Sequence, residues 1–163
     1  MKPLRIYVRI QLWIYDFLIF RRVEMIVRNC AGGIVFFEDK VLLICNDKRE
    51  WSFPKGVLKA GDKTKLSDLA CKRVKAEAGI DTKVLAPCGK TNYEFYSISR
   101  RKPVHNNISW FVMVAETGEP QAGQDEGILD AAFIQVEDAL NKITYSQDRS
   151  LLMMAYQKYK EIV

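Results

Sequence analysis

Hydrophobic and polar positions alternate with a period of two through much of the chain, and the helical period takes over in only a few places. Gly32–Phe37 is a short β-branched and aromatic run, Glu38–Asp39 a turn, and Lys40–Cys45 a second apolar run, KVLLIC. Together they predict a hairpin over 32–45. A polar loop, Asn46–Glu50, follows, and then the segment WSFPKG at 51–56. Leu66, Ala70, Val74 and Ala78 recur at helical spacing, so a helix is expected over about 66–78, with Gly79 as its left-handed stop. Thr82–Ala86, Lys90–Ser99 and Ser109–Glu116 read as strands, separated by a loop at Arg100–Asn107. The Gly/Pro/Asp-rich stretch 117–127 reads as a long loop, Ala131–Gln135 as one more strand, and 136–142 and 146–161 as two helices. Strands, a helix, more strands and closing helices make an α+β domain with a mixed sheet.

Residues 1–24 form a separate extension ahead of a domain over 25–163, and Met25 is an alternative start. The stretch LRIYVRIQLWIYDFLIF at 4–20 alternates as a strand does, yet Ile6, Ile10, Trp13 and Phe17 also share a helical face. Either form would be adhesive if exposed, so the segment is expected to pack on the domain or to make a homodimer interface; a membrane-surface helix is the less favoured alternative, because its polar face would be thin. Arg9, Gln11 and Asp16 interrupt its apolar core, and no small-residue cleavage site follows, so it does not read as a secretory leader.

Composition narrows the picture without naming a chemistry. With 163 residues, 48% apolar and 28% charged, the chain can bury a core without staples. Collagen-like, low-complexity and disordered classes are excluded, and no stretch of 18 uncharged apolar residues offers a transmembrane span. The net charge of +5 is mostly local, because residues 1–24 carry +3 of it. The domain is only weakly basic, so no DNA partner is expected. Cys30, Cys45, Cys71 and Cys88 form no CxxC pair, and there is one histidine, His105. A zinc site is therefore disfavoured, and free thiols in the cytoplasm are expected.

Chemistry concentrates at 51–80, WSFPKGVLKAGDKTKLSDLACKRVKAEAGI. This stretch resembles the Nudix hydrolase family, whose box runs Gly, five residues, Glu, seven residues, then Arg-Glu-apolar-x-Glu-Glu-x-Gly-apolar. The resemblance covers about 25–161. The stretch ITYSQDRSLLMMA at 143–155 is similar to the closing helix of the subgroup that cleaves dinucleoside polyphosphates. It implies a Nudix-like α/β/α sandwich with a mixed central sheet. Gly56, Val74, Glu77, Gly79 and Ile80 fit the box. Asp62 stands where the family has its first Glu, and nine residues (63–71) rather than seven follow, so an insertion lies near Lys63–Lys65. Lys72 replaces Arg, Arg73 the next Glu, and Ala76 another Glu.

The family's glutamates at i, i+3 and i+4 share one helix face and hold divalent cations against a diphosphate. Here that face presents Arg73, Ala76 and Glu77, a weakened site for Mg or Mn. Arg73 and Glu77, four apart, would naturally pair with each other. Two compensations are open. Glu126 in QDEG falls where some family members place a further metal-binding or base carboxylate, and with Glu77 and Asp62 it could complete a site. Alternatively, Lys55, Lys72 and Arg73 could hold phosphates directly. The resemblance implies a hydrolase of a nucleoside diphosphate-linked compound, with Glu77 and Glu126 as catalytic residues and weakened activity; the other reading is an inactive nucleotide-binding or protein-interaction module. A nucleotide-type small molecule is the expected partner. Among the aromatics Trp51, Phe53, Tyr93, Phe95, Tyr96 and Trp110, one or two could stack on a base, with Tyr96 a substrate-binding candidate. The Arg100–Lys102 run beside Tyr96 would suit a polyphosphate or RNA, although nothing else in the sequence supports RNA and a charge run is ordinarily solvated. His105, on its loop, could serve as an acid or base.

Overall fold

The computed structural model describes residues 24–163; the 1–24 extension lies, but for Glu24, outside the described residues. Strands β1 (Ile26–Phe37), β2 (Lys40–Asn46), β3 (Trp51–Ser52) and β4 (Lys55–Val57) precede helix α1 (Leu66–Ala78). Strands β5 (Thr82–Ser97) and β6 (Lys102–Ala115), a 3-10 turn at Gln124–Glu126 and β7 (Ile128–Gln135) follow, before helices α2 (Val136–Lys142) and α3 (Ser146–Ile162). The strands make one sheet in the order β3-β2-β1-β6-β5, with β4 on β1 and β7 on β2. β1 and β6 run parallel from Ile26↔Val104 to Phe36↔Val114, and the remaining pairs are antiparallel.

Helices cover both faces of the central strands, which is why those strands read as near-continuous apolar runs. On one face Cys30, Ile34, Phe36, Val41, Leu43 and Trp110 pack with Val136, Ala139, Leu152, Ala155 and Tyr159 of α2 and α3. On the other, Ala31, Val35, Leu42, Ile44 and Met113 pack with Leu69, Ala70, Val74 and Ala78 of α1. Each fully buried aliphatic side chain of this kind contributes about 1.5–3 kcal/mol. The result is the α/β/α sandwich with a mixed sheet that the box resemblance implies.

Three details differ from the sequence reading. The 32–45 hairpin is real but short: β1 and β2 pair only at Phe36↔Val41 and Phe37↔Lys40, and β2 then joins β7 instead. The strands expected at 82–86 and 90–99 are one edge strand, β5, whose register slips around Ala86 and Pro87. A bulged edge tolerates Pro87, which cannot donate to a ladder. The loop expected at 100–107 is strand from Lys102 onward, because β6 is clasped between β1 and β5 and its backbone groups are paired whatever the side chains.

Helix α1 ends as its sequence predicts. Gly79 takes φ 69°, and its N–H donates to the Lys75 carbonyl at 2.9 Å. A β-branched residue resists that left-handed backbone. Gly79→Val is expected to lower the unfolding free energy by about 1 kcal/mol or more, measured by urea denaturation.

Candidate functional site

Helical spacing sets Arg73 one turn before Glu77 on the same face of α1. The Arg73 guanidinium donates through Nη2 to Glu77 Oε1 at 2.8 Å and to Glu126 Oε2 at 2.8 Å. Glu126 reaches this point because loop 117–127 finishes the helix. The last turn of any helix leaves carbonyls without partners. Here the Gly123 N–H donates to Glu77 O at 3.0 Å and the Gln121 N–H to Ala78 O at 2.8 Å. A Cβ at Gly123 would overlap the Ala76 carbonyl, so only glycine lets the loop lie this close. The 3-10 turn that follows delivers Glu126. From the opposite side, a Cβ at Gly56 would overlap the Arg73 side chain. The box glycine thus leaves room for the arginine to cross β4.

Glu77 is 7% exposed, and both its oxygens are taken. Oε2 accepts the Lys55 backbone N–H at 3.2 Å. Burial pushes its carboxyl above the ordinary range, against the pull of Arg73 and Lys55. Burial also opposes the Arg73 charge, but the bonds to Glu126 and Glu77 outweigh it and hold the guanidinium above its usual value. Arg73 Nε is buried without an acceptor.

These residues do not fit a magnesium or manganese ion. Such an ion takes several oxygen ligands in octahedral array. On this face one position is a methyl group (Ala76), each oxygen of the buried carboxylate already accepts a hydrogen bond, and a cation already lies between the two acids. Asp62 does not join them: it is exposed, and its Oδ1 accepts from Thr64 N–H at 2.9 Å and Thr64 Oγ1 at 2.6 Å. Asp62 lies in the loop between β4 and α1. Among the described residues no group of three or more His, Cys, Asp or Glu side chains could hold a metal. Lys72 is exposed on α1, near Asp62 rather than in the triad.

Lys55 belongs to two places at once. Its backbone meets Glu77, and its side chain lines an adjacent cleft of about 660 Å³. Tyr93 and Phe95 form one wall of this cleft, their rings 6.0 Å apart and stacked, with Trp110 and Tyr145 also lining it. Tyr96 is exposed near the hairpin tip and does not line the cleft. Phe53 and Trp110 meet edge to face at 5.8 Å in the core, and Trp51 lies under Lys142 Nζ at 4.2 Å. His105 is in β6, not a loop; its Nδ1 is 2.9 Å from Glu94 Oε1 and its Nε2 2.9 Å from Asn107 Oδ1. The Arg100–Lys102 run forms a hairpin tip, with Lys102 paired to Glu24 at 2.8 Å. Sequence reasoning passed over Glu50, Tyr145 and Asp148, all in the cleft. Tyr145 and Asp148 lie in the closing-helix segment already singled out, and that was the available signal.

Removing Arg73 would leave Glu77 buried and uncompensated. Arg73→Ala is expected to cost about 3 kcal/mol near neutral pH by chemical denaturation. The Glu77 carboxyl, already raised by burial, would rise further. A carboxyl with a folded-state pKa above its unfolded value favours the fold at low pH and loses that contribution as pH rises. The deficit should therefore be full at about pH 8 and smaller at about pH 4.5.

Comparisons with known proteins agree with this architecture. The chain is similar in structure to a Nudix hydrolase from Nitrosomonas europaea, at 16% identity and a TM-score of 0.62, covering 81% of this chain and 72% of that one. It is similar to an ADP-ribose pyrophosphatase from Streptococcus suis, at 19% identity and a TM-score of 0.63, covering 82% and 92%. It is also similar to a C. elegans Ap4A hydrolase, at 16% identity and a TM-score of 0.61, covering 82% and 98%. At these identities the likeness speaks to the fold. No curated protein matches the sequence. The model of the NUDIX domain matches residues 21–154, most of the chain, and with the box helix, its glycines and the mixed sheet in place, the chain belongs to the NUDIX domain family.

Proposed function

We propose that this chain is a nucleotide-binding Nudix domain that holds the phosphates of its ligand with cations of its own and does not carry out metal-dependent hydrolysis. One observation carries the reading: the Arg73 guanidinium lies 2.8 Å from both Glu77 and Glu126. In that place it neutralises the two acids that would otherwise attract a divalent ion. A guanidinium has only donors and stays protonated, so it can bind a phosphate but cannot activate a water molecule.

The cleft supports a nucleotide-type ligand. Its volume of about 660 Å³ lies within the range of small-molecule sites. The aromatic wall of Tyr93 and Phe95 suits a base, and Lys55 lines the same cleft as a cation for phosphates, while its backbone N–H meets Glu77 of the Arg73 triad. The four cysteines are unpaired thiols, in keeping with a cytoplasmic setting. The second reading, slow hydrolysis of a nucleoside diphosphate-linked compound, rests on the buried acid Glu77, whose Oε2 accepts the backbone N–H of the cleft residue Lys55.

Calorimetric titration with ADP and GDP tests the proposal. At least one should bind with the same affinity, within about twofold, in EDTA and in magnesium; P–O–P hydrolysis should stay at background over nucleoside triphosphates, dinucleoside polyphosphates, ADP-ribose, NAD and capped RNA. Binding that requires metal, or turnover that Glu77→Gln abolishes, overturns it in favour of the hydrolase. Arg73→Glu combined with Ala76→Glu removes the internal cation and adds two carboxylates. That variant is expected to bind manganese at least about tenfold more tightly than the wild type.

A further inference from the structure

Three carboxylates line the cleft, and two of them are already engaged. Glu50 accepts from Tyr145 Oη at 2.6 Å and from Asn46 Nδ2 at 2.9 Å. Glu94 is held by His105 at 2.9 Å. The third, Asp148, has no hydrogen-bond partner among the described residues, although it is half-buried. It stands in the first turn of α3, where an acid usually turns back to cap the helix amides. No side chain caps this helix, and Asp148 lines the cleft instead. Burial pushes its carboxyl up from the ordinary range, and only the neighbouring Lys55 charge opposes that. No protein donor among the described residues takes this carboxylate, so a ligand's donors would replace only solvent there.

Tyr93 and Phe95, 42% and 40% accessible, share the cleft with this carboxylate, and the Arg28 guanidinium lies over the Phe95 ring at 5.5 Å, which leaves Tyr93 the freer of the two for a base. A base stacked on them would turn one hydrogen-bonding edge toward the cleft's free polar groups. An ionised carboxylate only accepts, and it accepts through two oxygens side by side. The matching edge has two adjacent N–H donors. Guanine offers that pair, N1–H and the 2-amino group. Hypoxanthine lacks the amino group, and adenine presents one donor beside an acceptor whose lone pair would face the carboxylate.

We propose that Asp148 reads the base in this cleft and selects a guanine-type edge. The inference rests on the nucleotide-binding reading of the same cleft and adds its specificity. A site built to pair a donor rejects the analogue that lacks it, because its own buried group is left unpaired. In calorimetric titrations without metal, wild-type protein should bind GDP about tenfold more tightly than IDP, and ADP more weakly still. Asp148→Asn should bring the three within about twofold, with the circular dichroism spectrum unchanged. Asp148→Ser, which removes the acid with a smaller group, serves if the amide variant does not fold.

The outcomes separate the two claims. Equal binding of the three ligands by wild type, or a preference for ADP, overturns the role of Asp148 and leaves nucleotide binding standing. A GDP preference that survives in both variants overturns it as well. Failure of every ligand to bind wild type overturns both claims together. The comparison of GDP with IDP needs no variant, so the proposal stays open to refutation even if neither substitution folds.

Discussion

A guanidinium clasped by two carboxylates determines how three distant parts of this chain meet. Glu77 lies on the buried side of α1, where an acid without a counter-charge would be costly. Arg73 supplies the charge from one turn earlier, and Glu126 closes the triad from a loop that also caps the helix. The glycines at 56 and 123 are required by the same arrangement, one clearing space for the arginine and the other letting the loop approach. A divalent ion in this place would bring two charges and exchangeable waters. The guanidinium brings one charge and a fixed fork of donors. A guanidinium can balance the two acids, but it carries no exchangeable water to activate.

Lys55 links this triad to the cleft. It sits in a strand of three residues whose partners on β1 are Cys30, Ala31 and Gly32, so its backbone is fixed by the sheet. That rigidity places its N–H on Glu77 while its side chain faces the cleft. Cations carried on rigid elements are already oriented when the ligand arrives, which lowers the ordering cost of binding.

Much of this could be read along the chain, and the misses have particular causes. Helix α1 and its stop were legible because Leu66, Ala70, Val74 and Ala78 repeat at helical spacing and Gly79 ends them. The Arg73–Glu77 pair followed from the same spacing. Lys102–Asn107 looked like loop because it is polar and contains Pro103. Yet Val104, Asn106 and Ile108 turn inward in alternation, and Pro103 precedes the parallel pairing with β1, where its missing N–H does no harm. Glu126 lies 53 residues from Arg73, a separation that periodicity cannot bridge. Asp62 matched a box position by count, but its own turn with Thr64 holds it outside the triad. Asp148 was passed over because an acid in the first turn of a helix ordinarily serves the helix dipole.

On the proposed reading, binding without a metal shifts where recognition must come from. In a metal site the ion and the phosphates attract each other strongly enough to dominate binding, and the base can be read loosely. Two protein cations, one of them already shared between carboxylates, hold a diphosphate far less tightly. Affinity then has to come from the other end of the ligand, through aromatic stacking and a paired edge. The cleft is provisioned in that sense, with a stacked aromatic wall and a single carboxylate whose hydrogen-bonding capacity the fold has not consumed.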